Sequence, residues 1–232
     1  MRRELSYLIC GIPRSGTSLL AGLLAGTGVA GRPEEYFWRD NEPDWATADY
    51  GRYVKESIQA GTTENGVFGA RVMWGYFGEL LSKLRGARSR ADDVSDVDLL
   101  EHSFRHPRFV WIWREDAVAQ AVSFAKAIQT GQWSHDSQRR GKDEPRFDFT
   151  QIDHLVKEVL AHRAAWEGWF SSNGLDPFRV TYEELVNDKV GVTKDVLAFL
   201  GITLPRGATI TERTRRQADE LNSRWIDLYR AT

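Results

Sequence analysis

The chain has 232 residues, enough for one sizeable core, and carries 31 basic against 33 acidic side chains for a formal net charge of −2. That balance exerts no global pull toward nucleic acid or anionic membrane, and no apolar run is long enough for an integral membrane span. The single cysteine, Cys10, excludes an intrachain disulfide and a thiolate zinc cluster and fits a reducing, cytoplasmic setting.

Met1–Glu4 leads into the first apolar run, Tyr7–Cys10, without the pattern of a signal peptide. That run reads as a strand, and Thr17–Ala25 beyond it as a helix. Val29-Ala30 reads as a short fifth strand, and Trp38–Gly66 in part as irregular loop. Val67–Val72 is the next strand and Tyr76–Leu84 the next helix. In Phe109–Trp113 both alternating faces are apolar, as in a central strand covered on both sides, so Trp111 and Trp113 are assigned to the core. Asp116–Gln129 is helical, and Gly131–Pro145, rich in Gly, Ser, Arg and Lys, is a loop. The two loop regions are the candidates for a lid. A helix over Phe149–Phe170, a strand at Phe178–Val180 and helices at Lys194–Leu200 and Arg213–Tyr229 complete the chain. Alternating strands and helices predict the α/β class: a P-loop-like parallel sheet flanked by helices, in one domain over residues 1–232. Ligands of such sheets sit beyond the carboxyl ends of the strands.

The stretch Gly11-Ile12-Pro13-Arg14-Ser15-Gly16-Thr17-Ser18 joins the first strand to the first helix. Its glycine spacing is that of G-x-x-x-x-G-K-[ST], in which the lysine reaches the β/γ-phosphates. Thr17 stands in the lysine position, Ser18 keeps the hydroxyl, and a cation appears at Arg14. First-turn amides lack intrahelical partners and lie at the positive end of the helix dipole, so they attract phosphate or sulfate. The cradle for an anion is present while the group that handles a γ-phosphate is not. Arg114, directly after the central strand, and Ser123, two turns into the next helix on the face of Asp116, form a second anion-site candidate. A nucleotide with two separated phosphate groups would need both. His102 and His106 have i,i+4 spacing without a further ligand near in sequence, and no metal is expected. Arg85–Arg90, Arg139-Arg140 and Arg213–Arg216 read as solvated faces.

These residues resemble the sulfotransferases that use 3′-phosphoadenosine 5′-phosphosulfate. Pro13–Ser18 is similar to their 5′-phosphosulfate loop, Arg114 with Ser123 to their 3′-phosphate site, and Phe178–Leu185 to a later strand and turn near the adenine. More narrowly, Thr27–Phe37, Gly66–Trp74, Gln120–Phe124 and Arg216–Asp219 followed by Trp225 and Tyr229 resemble the bacterial branch typified by trehalose 2-sulfotransferase. The resemblance implies sulfuryl transfer to a hydroxyl of a carbohydrate or other small alcohol, with Pro13, Arg14, Ser15, Gly16, Thr17 and Ser18 holding the phosphosulfate. It implies Arg114 and Ser123 for the 3′-phosphate and Arg216 as a late cofactor contact. It makes Glu35 the general base, with Arg14 standing where many relatives have a catalytic lysine. Pro33, Glu34, Tyr36, Phe37 and Trp38 would line the acceptor site, with Glu34 the neighbouring alternative as base. It also implies a homodimer.

Two departures stand out. No histidine falls where the cytosolic animal branch has its base, and Arg32 stands where the trehalose branch is expected to carry an acid. The alternatives from other classes are a P-loop small-molecule kinase, which Thr17 disfavours, and a non-catalytic nucleotide-binding protein.

Overall fold

A computed structural model of the chain describes residues 5–88, 94–133, 144–210 and 220–232. Among them, in chain order, lie β1 (Leu5–Gly11), α1 (Thr17–Gly26), α2 (Tyr50–Gly61), β2 (Val67–Met73), α3 (Trp74–Gly86), α4 (Asp96–Phe104), β3 (Arg108–Trp113), α5 (Ala117–Thr130), α6 (Phe149–Ser172), β4 (Phe178–Thr181), α7 (Tyr182–Asn187), α8 (Lys189–Leu200) and α9 (Glu220–Ala231). The four strands form one parallel sheet in the order β2-β1-β3-β4. The α/β expectation holds, and all four main strands fall where apolar runs predicted them.

The order of the strands matters more than their number. β1 pairs with β2 on one side, Cys10 opposite Val72, and with β3 on the other, Cys10 opposite Trp111. The chain therefore leaves β1 toward one edge and later returns to its other side. Such a switch point opens a crevice at the carboxyl ends of the two strands, where doubly wound sheets bind ligands. The Gly11–Ser18 loop and Arg114 flank that crevice.

Alternate residues of the strands feed two cores. Leu8, Cys10, Phe68, Ala70, Val72, Phe109 and Trp111 face a layer containing residues of α2, α3, α4 and α6. Tyr7, Ile9, Val67, Val110, Ile112 and Val180 face α1 and α8. A third cluster joins α5, α6 and α9 through Val122, Ile152 and Trp225. The first core is strongly aromatic: Trp166 packs edge-on against Trp74 and stacks on Phe170, with Trp111 and Phe77 beside it. Buried indoles take a hydrogen-bond partner when they can. Trp111 Nε1 donates to Glu167 at 2.7 Å, and Trp166 Nε1 donates to the carbonyl of Gly11 at 2.9 Å, fastening the mouth of the loop to α6.

Several expectations are corrected. Val29-Ala30 forms bends rather than a fifth strand; the contact with β2 comes later, as a parallel bridge between Glu34 and Ala70. Gly31, with φ of 73°, allows that approach, since a Cβ there would lie 2.8 Å from the backbone nitrogen of Gly69. Trp38–Gly66 contains α2, and α4 and α7 add helices the apolar pattern did not announce. α8 starts at Lys189 rather than Lys194, where Asp188 accepts from the Gly191 amide. Trp113 is only half-buried, with the Arg163 guanidinium 5.3 Å over its ring. The start of the predicted Arg213–Tyr229 helix lies outside the described residues.

Trp166→Phe removes the donor to Gly11 while keeping an aromatic ring. A loss of about 1–3 kcal/mol is expected for leaving that carbonyl unpaired, read as a lower midpoint in urea denaturation.

Candidate active site

Two residues of the loop after β1 sit in the left-handed region: Arg14 at φ 67° and Gly16 at φ 98°. A non-glycine residue there is held against its preference, and such strain concentrates at functional sites. Gly16 is also the N-cap of α1 and has no side chain to satisfy the first-turn amides, which leaves them directed at the crevice. Ser15 and Thr17 are buried, and Ser15 Oγ accepts from the Ile12 amide at 3.4 Å, so both shape the loop from inside. Ser18 is exposed and Arg14 half-buried. Below the loop, the fully buried Gln120 of α5 donates to the Pro13 carbonyl at 2.8 Å.

Residues expected to form two separate anion sites meet. Arg14 Nε donates to Ser123 Oγ at 3.0 Å, and Arg14 Nη1 donates to the carbonyl of Trp133. Burial, and then the neighbouring Arg114, push the Arg14 guanidinium below its usual pKa. Arg114 lies 4.8 Å over the Tyr182 ring and 3.9 Å from a Glu183 oxygen, and its Nε is buried without a hydrogen-bond partner. Tyr182, the first residue of α7, also limits the loop: a Cβ on Gly16 would lie 2.8 Å from its ring. The Phe178–Leu185 segment thus closes against both arginines. Arg216 lies outside the described residues.

On the other side of the loop stands a carboxylate cluster. Glu35 is half-buried, and burial raises its pKa above the ordinary carboxylate value. The Arg71 charge and a hydrogen bond with Tyr76 pull the other way, while Glu34 adds to the rise. Arg71, near the end of β2, gathers the site: Nη1 donates to Ser18 Oγ at 2.7 Å and lies 3.7 Å from Glu35. Its Nη2 donates to Glu34 at 3.0 Å and its Nε to the Pro33 carbonyl at 3.2 Å. One nitrogen therefore touches both the loop hydroxyl and Glu35. Tyr76 donates to the Arg71 carbonyl at 3.1 Å and packs 5.4 Å from the Trp38 ring.

The remaining residues of the expected acceptor segment divide. Pro33 is buried, and Phe37 is 2% exposed, its ring against Phe104 and Tyr53. Phe37 braces the segment from within the core and lines no open surface. Tyr36 donates to the Arg32 carbonyl at 2.7 Å and turns its ring toward Phe68, while its pKa is pushed up to about 12, mainly by burial. Arg32 Nη1 donates to the carbonyls of Ala60 and Thr62 at the end of α2. Its guanidinium caps a helix, so the departure at this position acts on α2 rather than on the crevice.

Sequence reasoning did not single out Arg71, Tyr76, Gln120 or Tyr182. For Arg71 a signal existed: it is the one charged residue in the otherwise apolar or small run Val67–Met73. For Gln120 and Tyr182 the sequence offers no local mark. Among the described residues no group of three or more His, Cys, Asp or Glu gathers at metal-ligand spacing. None of their helices is long and apolar enough to cross a membrane.

A lysine-free loop at a helix N-terminus, with a second arginine just beyond the adjacent strand, marks a protein of the P-loop-like α/β class. The chain belongs to the Stf0 sulphotransferase family, whose model matches residues 6–232. It is 29% identical to a trehalose 2-sulfotransferase of Mycobacterium tuberculosis, over 97% of this chain and 94% of that protein. To a trehalose 2-sulfotransferase of Mycolicibacterium smegmatis it is 28% identical, with the same shares covered. A crystal structure of a sulfotransferase from Alicyclobacillus acidocaldarius shares the fold, with a TM-score of 0.50 at 14% identity over 100% of this chain and 93% of that one. The enzyme is a sulfotransferase, and the kinase and non-catalytic alternatives fall away.

Gly16→Ala combines a left-handed backbone with a clash against Tyr182. It is expected to lower stability by about 1–3 kcal/mol, measured by urea denaturation.

Proposed function

We propose that the enzyme moves a sulfuryl group from 3′-phosphoadenosine 5′-phosphosulfate to a carbohydrate hydroxyl, with Glu35 as general base. The observation that carries this reading is the single Arg71 nitrogen that touches both Ser18 of the anion loop and Glu35. It sets the base beside the place where the loop would hold the group to be transferred. The names of the two mycobacterial relatives support a sugar of the trehalose kind as acceptor.

In this reading the amides opening α1, with Pro13, Arg14, Ser15, Gly16, Thr17 and Ser18, hold the phosphosulfate. Arg114, whose Nε makes no hydrogen bond, and Ser123 hold the 3′-phosphate. Because Arg14 already contacts Ser123, the phosphates bind along one continuous cationic strip. Glu35 and Trp38 face the acceptor, and Tyr76 orients the carboxylate.

The acceptor oxygen attacks sulfur, and the bond from sulfur to the 5′-phosphate oxygen breaks. The electron pair leaves with adenosine 3′,5′-bisphosphate, and the hydroxyl proton passes to Glu35. Sulfuryl transfer, like phosphoryl transfer, depends on in-line placement and charge stabilisation more than on covalent help from the protein. Arg14 supplies fixed positive charge where the leaving group gains negative charge. A base with a raised pKa accepts a proton better than an ordinary carboxylate does.

Incubation with the labelled donor and trehalose, followed by mass spectrometry, is expected to show product heavier by one SO₃. A metabolite pool extends the test to other sugars. Transfer to no carbohydrate in such a pool would overturn the acceptor class. Glu35→Gln is expected to cut turnover by ~10²-fold or more with nucleotide affinity nearly intact. Arg14→Ala and Arg114→Ala should each weaken binding of adenosine 3′,5′-bisphosphate in calorimetry; unchanged affinity in either would contradict the assigned strip.

A further inference from the structure

Arg71 stands in an unusual place for a guanidinium. Its side chain is only 13% exposed, near the end of a strand whose other residues are apolar or small. Alternation along β2 puts it on the same side of the sheet as Val67, which faces α1. From there each of its three nitrogens finds an oxygen: Nε the Pro33 carbonyl, Nη2 Glu34, and Nη1 both Ser18 and Glu35. Only a planar fork of several donors serves four oxygens from two chain segments; an ammonium would not.

Loops that split triphosphates show what such a cation does. There the Ser or Thr hydroxyl at the Ser18 position binds a magnesium ion, which an aspartate from a separate motif helps to hold. Here the same hydroxyl binds a guanidinium, and Glu34 holds it from the far side.

We propose that Arg71 takes the place of that cation as a positioning residue, tying Glu35 to Ser18 so that base and donor loop are presented at a fixed separation. This rests on the reading of Glu35 as general base. Glu34, exposed and ion-paired to Arg71, is then an anchor for the guanidinium rather than a second base. The Arg71 charge also partly offsets the burial that disfavours the ionised Glu35 carboxylate.

The test uses Arg71→Met and Arg71→Lys, each checked for a cooperative thermal melt. In the free protein, carbon-13 NMR of labelled glutamate follows the titration of Glu35. Removing the positive charge in Arg71→Met is expected to move that titration to higher pH. The acid limb of kcat/KM moves the same way, because the base must be ionised to act. Turnover should fall roughly 10²-fold from misplacement of the base, with adenosine bisphosphate affinity little changed. Arg71→Lys keeps the charge without the fork, so the Glu35 titration returns toward the native position while turnover recovers only in part. If Arg71→Met does not fold, Arg71→Lys decides: turnover equal to the native enzyme overturns the proposal. An unmoved Glu35 titration in folded Arg71→Met also overturns it. Full turnover in Glu35→Gln would instead sink the general-base reading; with Glu35→Gln inactive, an unmoved titration counts against Arg71 alone.

Discussion

The pairing of β1 with two neighbours reached by connections running in opposite directions governs everything built on this sheet. It leaves the carboxyl end of β1 uncovered by a crossover, and the chain places its tightest loop there. The loop does not hold itself. Trp166 from α6 grips the Gly11 carbonyl and Gln120 from α5 grips that of Pro13, so two helices on the far side of the strand ends set its position. Backbone held at a positive φ at Arg14 is the cost of pointing that side chain across the crevice toward α5. A rigid aromatic core around Trp166 makes such a cost sustainable.

Two guanidinium groups divide the work around this loop. Arg14 faces Ser123 and Arg114, on the β3 side; Arg71 faces Ser18 and the carboxylates, on the β2 side. Arg14 extends from the loop toward β3 while Arg71 reaches it from near the end of β2, so the separation between Ser123 and Glu35 follows the sheet spacing. A carboxylate this close to the Arg71 guanidinium would ordinarily titrate low. Burial reverses that outcome for Glu35 and leaves it basic, a combination that a surface acid in a polar turn lacks.

Much of this was visible in the residues. Phe109–Trp113 is apolar on both faces because β3 is covered on both sides, and the loop spacing was intact apart from its missing lysine. The misreadings have physical causes. In α2 the buried residues Tyr50, Tyr53, Val54 and Ser57 do follow a helical period, but Gly51 and Gly61 and a polar stretch before it disguise the pattern. α4 is a short helix whose buried residues, Leu99, Leu100 and Phe104, are too few to show a period. Phe37 sat among acids and aromatics that looked like a sugar site, yet its ring completes the core; proximity in sequence does not say which way a side chain turns. Arg32 is the reverse case: a charge change next to the motif that a helix end absorbs. The joining of the two anion sites through Arg14 and Ser123 depends on tertiary distance alone, which no spacing encodes.

Burial, and then the neighbouring Arg114, disfavour the charge of Arg14. A divalent anion seated between two such guanidinium groups would relieve that electrostatic stress. If the strip holds the donor's phosphates as proposed, inorganic sulfate would compete for it. The enzyme's working rate should track the ionic make-up of its surroundings as well as the supply of activated donor.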